Sequence, residues 1–134
     1  MKTISQDKPF KNDTLRGANN TLYALVNTRT QTDEDGNIQY LADGILIDNM
    51  SQKDAAVKQY KLNNITVTVT SGKVLYADPT SRTDIADVIK CMELNSIAQY
   101  QWKTVNGIMN VTLDDFKEAL LLGLAEKGKI IGVN

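Results

Sequence analysis

The clearest pattern in the chain is the alternation of Ile65, Val67 and Val69 with Thr66, Thr68 and Thr70, the period-two signature of a strand with one apolar and one polar face. Ser71-Gly72 then reads as a two-residue turn, which sets Val69 opposite Val74 and Val67 opposite Tyr76. Upstream, residues 21–30 and 37–48 are rich in β formers, and Asp35-Gly36 between them marks a hairpin, with Gly44 expected to bend or bulge the second strand. Periodicity changes at Ser51, where Asp54 three positions on suggests a capped helix over residues 52–60 with a thin apolar face of Ala56 and Tyr60. Pro79 closes the strand after Tyr76, and Ser81 with Asp84 starts a second helix. Ile85, Val88, Ile89 and Met92 share its stripe, with Cys91 beside them as a small buried thiol. Residues 1–20 are polar and read as a flexible or extended arm.

The stretch YQWKTVNGIMNVTLDDF, residues 100–116, combines a hairpin and a helix start. Asn106-Gly107 as a two-residue loop pairs Val105 with Ile108, Thr104 with Met109 and Trp102 with Val111. Tyr100, Trp102, Met109 and Val111 then share one packed face, with Trp102 as a core anchor. Thr112 is placed to accept the free backbone N–H of Asp115, and Asp114 and Asp115 favour the positive end of the helix that follows. That gives Trp102, Asn106, Gly107, Thr112 and Asp115 structural roles. The helix spans residues 113–127 with a stripe of Leu113, Phe116, Leu120 and Leu124, and ends at Gly128. Residues 129–134 offer a short final strand or an apolar tail. Leu122 falls opposite the stripe, among Asp115, Glu118 and Glu126. Leu122 and the threonine face of Thr66, Thr68 and Thr70 are the candidate partner-binding residues. The sum is an α+β fold: antiparallel hairpins in one or two sheets, covered by two C-terminal amphipathic helices that the Trp/Asn-Gly hairpin links. Residues 21–134 are expected to form a single domain behind the arm.

Composition narrows the chemistry. A formal net charge of −1 lacks the basic surplus of a nucleic-acid binder. The absence of histidine removes the commonest general base and metal ligand. The single Cys91 forms no internal disulfide and suits a reducing compartment. No apolar run approaches the roughly 18 residues of a membrane span. The start, MKTISQDKPF, lacks the apolar core of a secretory leader, so synthesis in a cytoplasm is expected. Asp33, Asp35 and Asn37 alternate as in a calcium loop, but position 42 holds Ala where the glutamate ligand belongs. No catalytic, cofactor-binding or metal-ligating residue is assigned, and the paired Asp114 and Asp115 have no polar companion in sequence for acid–base work.

An ordered pattern runs through residues 76–127: an aromatic-x-Asp step, SRTDIADVI, then the Trp-x-x-x-Asn-Gly hairpin, a Val-Thr step and the final amphipathic helix. The segment resembles a domain of unknown function found in phage and prophage tail proteins. The matching positions are Arg82, Ile85, Ile89, Trp102, Asn106, Gly107, Val111, Thr112 and Phe116, over about the last 50 residues. The resemblance implies a virion-associated or tail-assembly role and brings no catalytic residues with it. The expected function is that of a non-enzymatic phage structural or tail-accessory protein, binding a virion protein or further copies of itself. The alternative is a small phage-encoded inhibitor or adaptor that binds a host protein.

Overall fold

Backbone pairing needs few apolar side chains, and the polar start of the chain is accordingly built into a sheet. The computed structural model describes residues 1–132. In it β1 (Lys2–Gln6) pairs antiparallel with β4 (Ile38–Ile47), and β2 (Thr14–Arg16) pairs antiparallel with β3 (Leu22–Thr32). Of the flexible or extended arm expected over residues 1–20, the extended form is present: it supplies the two edge strands of a four-stranded sheet of order β1-β4-β3-β2. Among the described residues the fold is α+β, with three α-helices and antiparallel sheets. The chain divides into two compact units, Met1–Gln59 and the chain from Tyr60 onward.

In the first unit, Leu22, Ala24 and Ile47 form a small core covered by Ile45 and by Ala56 and Val57 of α1 (Lys53–Asn63). The entry to α1 is a short 3-10 turn whose cap is Asn49, not Ser51: the Asn49 side chain accepts the Ser51 backbone N–H. The expected irregularity at Gly44 lies instead on the neighbouring strand, as a bulge between Val26 and Arg29. Gly44 keeps its register opposite Leu25 and Lys2. Its role is close packing, since a Cβ there would sit 2.7 Å from the Ile4 Cδ1 and 3.0 Å from Tyr23. Asp43 holds the bulge, accepting from the Asn27 side chain at 3.0 Å and from Arg29 at 3.2 Å, while Asn27 adopts a left-handed conformation.

The second unit carries the larger core. Ile65, Val67, Val69, Leu75 and Ala77 meet Ile85, Val88 and Met92 of α2 (Pro79–Asn95), Val111, and Phe116 and Ala119 of α3 (Leu113–Ile131). Strands β5 (Thr66–Thr68) and β6 (Val74–Tyr76) pair with Val67 opposite Leu75, one residue off the expected register. The connection is a three-residue loop in which the Val69 N–H donates to the Lys73 carbonyl at 3.0 Å and the Gly72 N–H to the Val69 carbonyl at 2.8 Å, with Gly72 at φ +93. A one-residue slip exchanges faces, so Leu75 is fully buried and Tyr76 is exposed.

Strands β7 (Gln99–Thr104) and β8 (Gly107–Thr112) turn at Val105 and Asn106 rather than at Asn106-Gly107. Gly107, at φ +107, opens β8 opposite Thr104, whose hydroxyl donates to the Gly107 carbonyl at 2.7 Å. Here the slip is by two, so the expected face survives with new partners: Trp102 opposite Met109 and Tyr100 opposite Val111. Asp78, not Ser81, caps α2, accepting the Ser81 N–H ahead of Pro79 at the first helical position. Its buried residues are Arg82, Ile85, Val88 and Met92. That stripe is too narrow to include Cys91, which is exposed rather than buried. Helix α3 continues through Gly128 to Ile131 and ends at Gly132 in the left-handed region, so residues 129–131 are helix and not a final strand. Val133 and Asn134 lie outside the described residues.

Candidate functional site

Two arrangements in the second unit involve the residues singled out by sequence. One is a polar knot around Asp115, which is 6% exposed. Thr112 and Asp115 form a reciprocal capping box: the Thr112 hydroxyl accepts the Asp115 N–H at 3.1 Å, and the Asp115 carboxylate accepts the Thr112 N–H at 3.2 Å. The same carboxylate accepts from the Ser71 hydroxyl at 2.9 Å and pairs with Lys73 at 3.1 Å. Burial pushes the Asp115 carboxyl up, but the bonds from Lys73, Ser71 and Thr112 outweigh it and hold the group below its ordinary value of 3.8. One turn further along α3, Glu118 accepts from the backbone N–H and the hydroxyl of Thr70 at 2.8 and 2.9 Å. Together these bonds fasten the 70–72 loop to the first turns of α3.

The Lys73 ammonium also lies 3.3 Å from the Ser71 hydroxyl, a spacing reminiscent of a serine–lysine catalytic pair. The chemistry differs. Ser71 donates its proton to Asp115, and an ammonium paired with a carboxylate has no lone pair with which to take that proton. Asp114, the neighbour of Asp115, is exposed and outside the knot. Among the described residues, no group of three or more His, Cys, Asp or Glu side chains is placed to hold a metal ion. The Asp33 carboxylate is occupied by the backbone N–H groups of Asp35 and Asn37, as in a solvated turn.

The second arrangement is an aromatic patch. Trp102 packs edge-to-face on the fully buried Phe116, with ring centroids 5.2 Å apart and an interplanar angle of 85°. Its other neighbour is Tyr100, at 6.4 Å and 65°. Trp102 is half-buried, so it joins the core to the surface instead of being enclosed by the core. Tyr100 is 45% exposed and Met109, opposite Trp102, is 36% exposed. Of the four residues expected to pack inward, only Val111 is fully buried; Trp102 is half-buried, and the face opens outward at Tyr100 and Met109. Tyr, Trp and Met are the side chains that interfaces favour: large, adaptable contact area on few rotatable bonds.

The sequence-derived contact residues divide differently from expectation. Thr66 and Thr68 are exposed on β5, whereas Thr70 is held by Glu118. Leu122 is not on a free second face but packs half-buried against the core. The exposed leucines of α3 are Leu121 and Leu124. The rotation follows from the small residues. Ala119 and Gly123 are buried with Phe116, and a Cβ on Gly123 would lie 2.9 Å from the Ala77 Cβ and 3.2 Å from the Arg82 side chain. The helix approaches closely along that line, and the leucines flank it. Arg82, itself buried, donates to the Ala77 carbonyl at 2.7 Å beside this contact. Comparison with protein-family models, curated proteins and solved structures finds no match for this chain. Among the described residues, no helix is long and apolar enough to cross a membrane.

Proposed function

We propose that the protein is a non-enzymatic phage or prophage structural or tail-accessory protein that acts through protein–protein contacts. The observation that carries the contact reading is the Tyr100–Trp102–Met109 patch, seated on Phe116 and open to solvent. A rigid aromatic anchored below by a core ring loses little conformational freedom when a partner covers it, which is what an interface hot spot requires. The phage assignment rests on the resemblance of residues 76–127 to tail-associated domains. On this reading the chain is made in a cytoplasm, needs no cofactor, and binds a virion protein through the patch.

The test is co-purification of the tagged chain with each product of the genes adjoining its own, in wild-type form and as Met109→Asp. The substitution buries a charge in the contact and leaves the core alone, so its melting temperature stays near wild type. Capture of a virion protein by wild type and not by the variant supports the proposal. Specific capture of a host protein instead supports the inhibitor or adaptor alternative. No capture, or capture unaffected by Met109→Asp, overturns the assignment of the patch.

A further inference from the structure

In the first unit, every residue from 27 to 39 is exposed, although β3 and β4 stay paired from Arg29 opposite Leu41 to Thr32 opposite Ile38. Tyr40 and Leu41 are half-buried and still pair with Gln6 and Ser5 of β1, but Gln31 opposite Gln39 and Thr32 opposite Ile38 form a two-stranded end with no buried face, which is marginal by itself. On the outer edge of β3, among the described residues, no strand pairs beyond Leu25, although Pro9, Phe10 and Asn12 line a cavity with residues 26–30. Strand β2 reaches only to Ala24, and the last backbone bond on that side runs from the Leu25 N–H to the Asp13 carbonyl at 2.8 Å. Beyond it, residues 28–32 read Thr-Arg-Thr-Gln-Thr, a strand-forming segment without proline or lysine to block strand addition. The one charge there, Arg29, is drawn back onto its own ribbon by Asp43 at 3.2 Å.

From this edge we infer that two copies of the chain pair antiparallel through β3 about a two-fold axis at Thr30. The segment is self-complementary in that register. Thr28 meets Thr32 of the second copy, Arg29 meets Gln31, and Thr30 meets Thr30, so threonines face threonines and no like charges are opposed. Charge fixes the direction. Asp33, Glu34 and Asp35 form an acidic tip, and the antiparallel arrangement sends the two tips to opposite ends, whereas a parallel one would stack six carboxylates. The pairing extends the protein-contact reading to a surface on the other unit. It does not depend on the aromatic patch, and Met109→Asp leaves it intact.

The test is disulfide trapping in the full chain with Cys91→Ser, since Cys91 is exposed and would cross-link by itself. Thr30→Cys is expected to give a covalent dimer under oxidised glutathione, as is an equimolar mixture of Thr28→Cys and Thr32→Cys. Thr28→Cys alone is not, because its two sulfurs would start about 13 Å apart along the strand, beyond disulfide reach. In a second measurement, Thr30→Lys places two ammonium groups at the axis and weakens the dimer about fivefold or more by sedimentation equilibrium. A monomer at all accessible concentrations, cross-linking of Thr28→Cys as fast as Thr30→Cys, or a dimer indifferent to Thr30→Lys overturns the inference. Retention of virion-protein capture in any of those cases leaves the proposed function standing.

Discussion

The two units of this chain solve the problem of burial in opposite ways. The second unit gathers side chains from two hairpins and two helices around Phe116, Leu75, Ile85 and Met92, all fully enclosed. The first unit closes a core of Leu22, Ala24 and Ile47 under one helix and then lets β3 and β4 run on into solvent. Hydrophobic stabilisation scales with the apolar area removed from water, so cohesion is concentrated in the second unit while the ribbon of the first relies on backbone pairing. The contrast teaches where contacts are to be sought. In the well-packed unit a partner finds a rigid aromatic platform, and in the thinly packed one it finds an open strand edge.

Several substitutions break or sharpen this contrast. The largest effect is expected for Phe116→Ala, at about 4 kcal/mol by denaturant melting, because the ring is enclosed and supports Trp102 from below. Ile47→Ala in the small core should cost about 3 kcal/mol and speed hydrogen exchange in β3 and β4 while leaving α2 and α3 protected. An equal loss of protection in both units would show that they unfold as one.

Asp115→Ala removes the side-chain acceptor of the Thr112 N–H, one half of the capping box, and leaves Lys73 and Ser71 without their acceptor, for about 2 kcal/mol. Its acid dependence is distinctive. The folded carboxyl lies below its unfolded value of 3.8, so its contribution is complete at neutral pH and is lost as pH falls through 3.8 toward the folded value. Asp115→Asn should flatten that part of the stability profile, and an unchanged acid limb would count against the knot. Thr112→Ala, which removes one half of the capping box, should cost about 1 kcal/mol. The smallest effect on stability is expected for Thr30→Lys in the ribbon. Ribbon amides should exchange fast in dilute solution and become protected as concentration rises, if the edge pairs with a second copy.

Much of the fold was legible locally, and the failures share a cause. The alternation at residues 65–69, the Thr112–Asp115 cap and the stripe of Ile85, Val88 and Met92 depend on neighbours within a turn or a strand. Strand register depends on loop geometry that a dipeptide does not fix: Ser71-Gly72 closed a three-residue loop, and Gly107 sat after its turn and not within it. The pairing of the extended N-terminal segment into a sheet was not legible, because edge pairing is made by backbone groups that every residue carries.

The amino-acid sequence by itself determined the α+β class, the helices and most strands, the capping box, and a face shared by Tyr100, Trp102, Met109 and Val111. These follow from periodicity and short-range hydrogen bonding. Only the tertiary structure decided which way that face opens, which side of α3 is buried, and how far β3 and β4 extend beyond their cover. Each of those depends on what packs where: on Ala119 and Gly123 admitting a close approach, on Phe116 filling the space beneath Trp102, and on β2 pairing with β3 only as far as Ala24. Local patterns state a preference for burial, and three-dimensional packing decides which preferences are met.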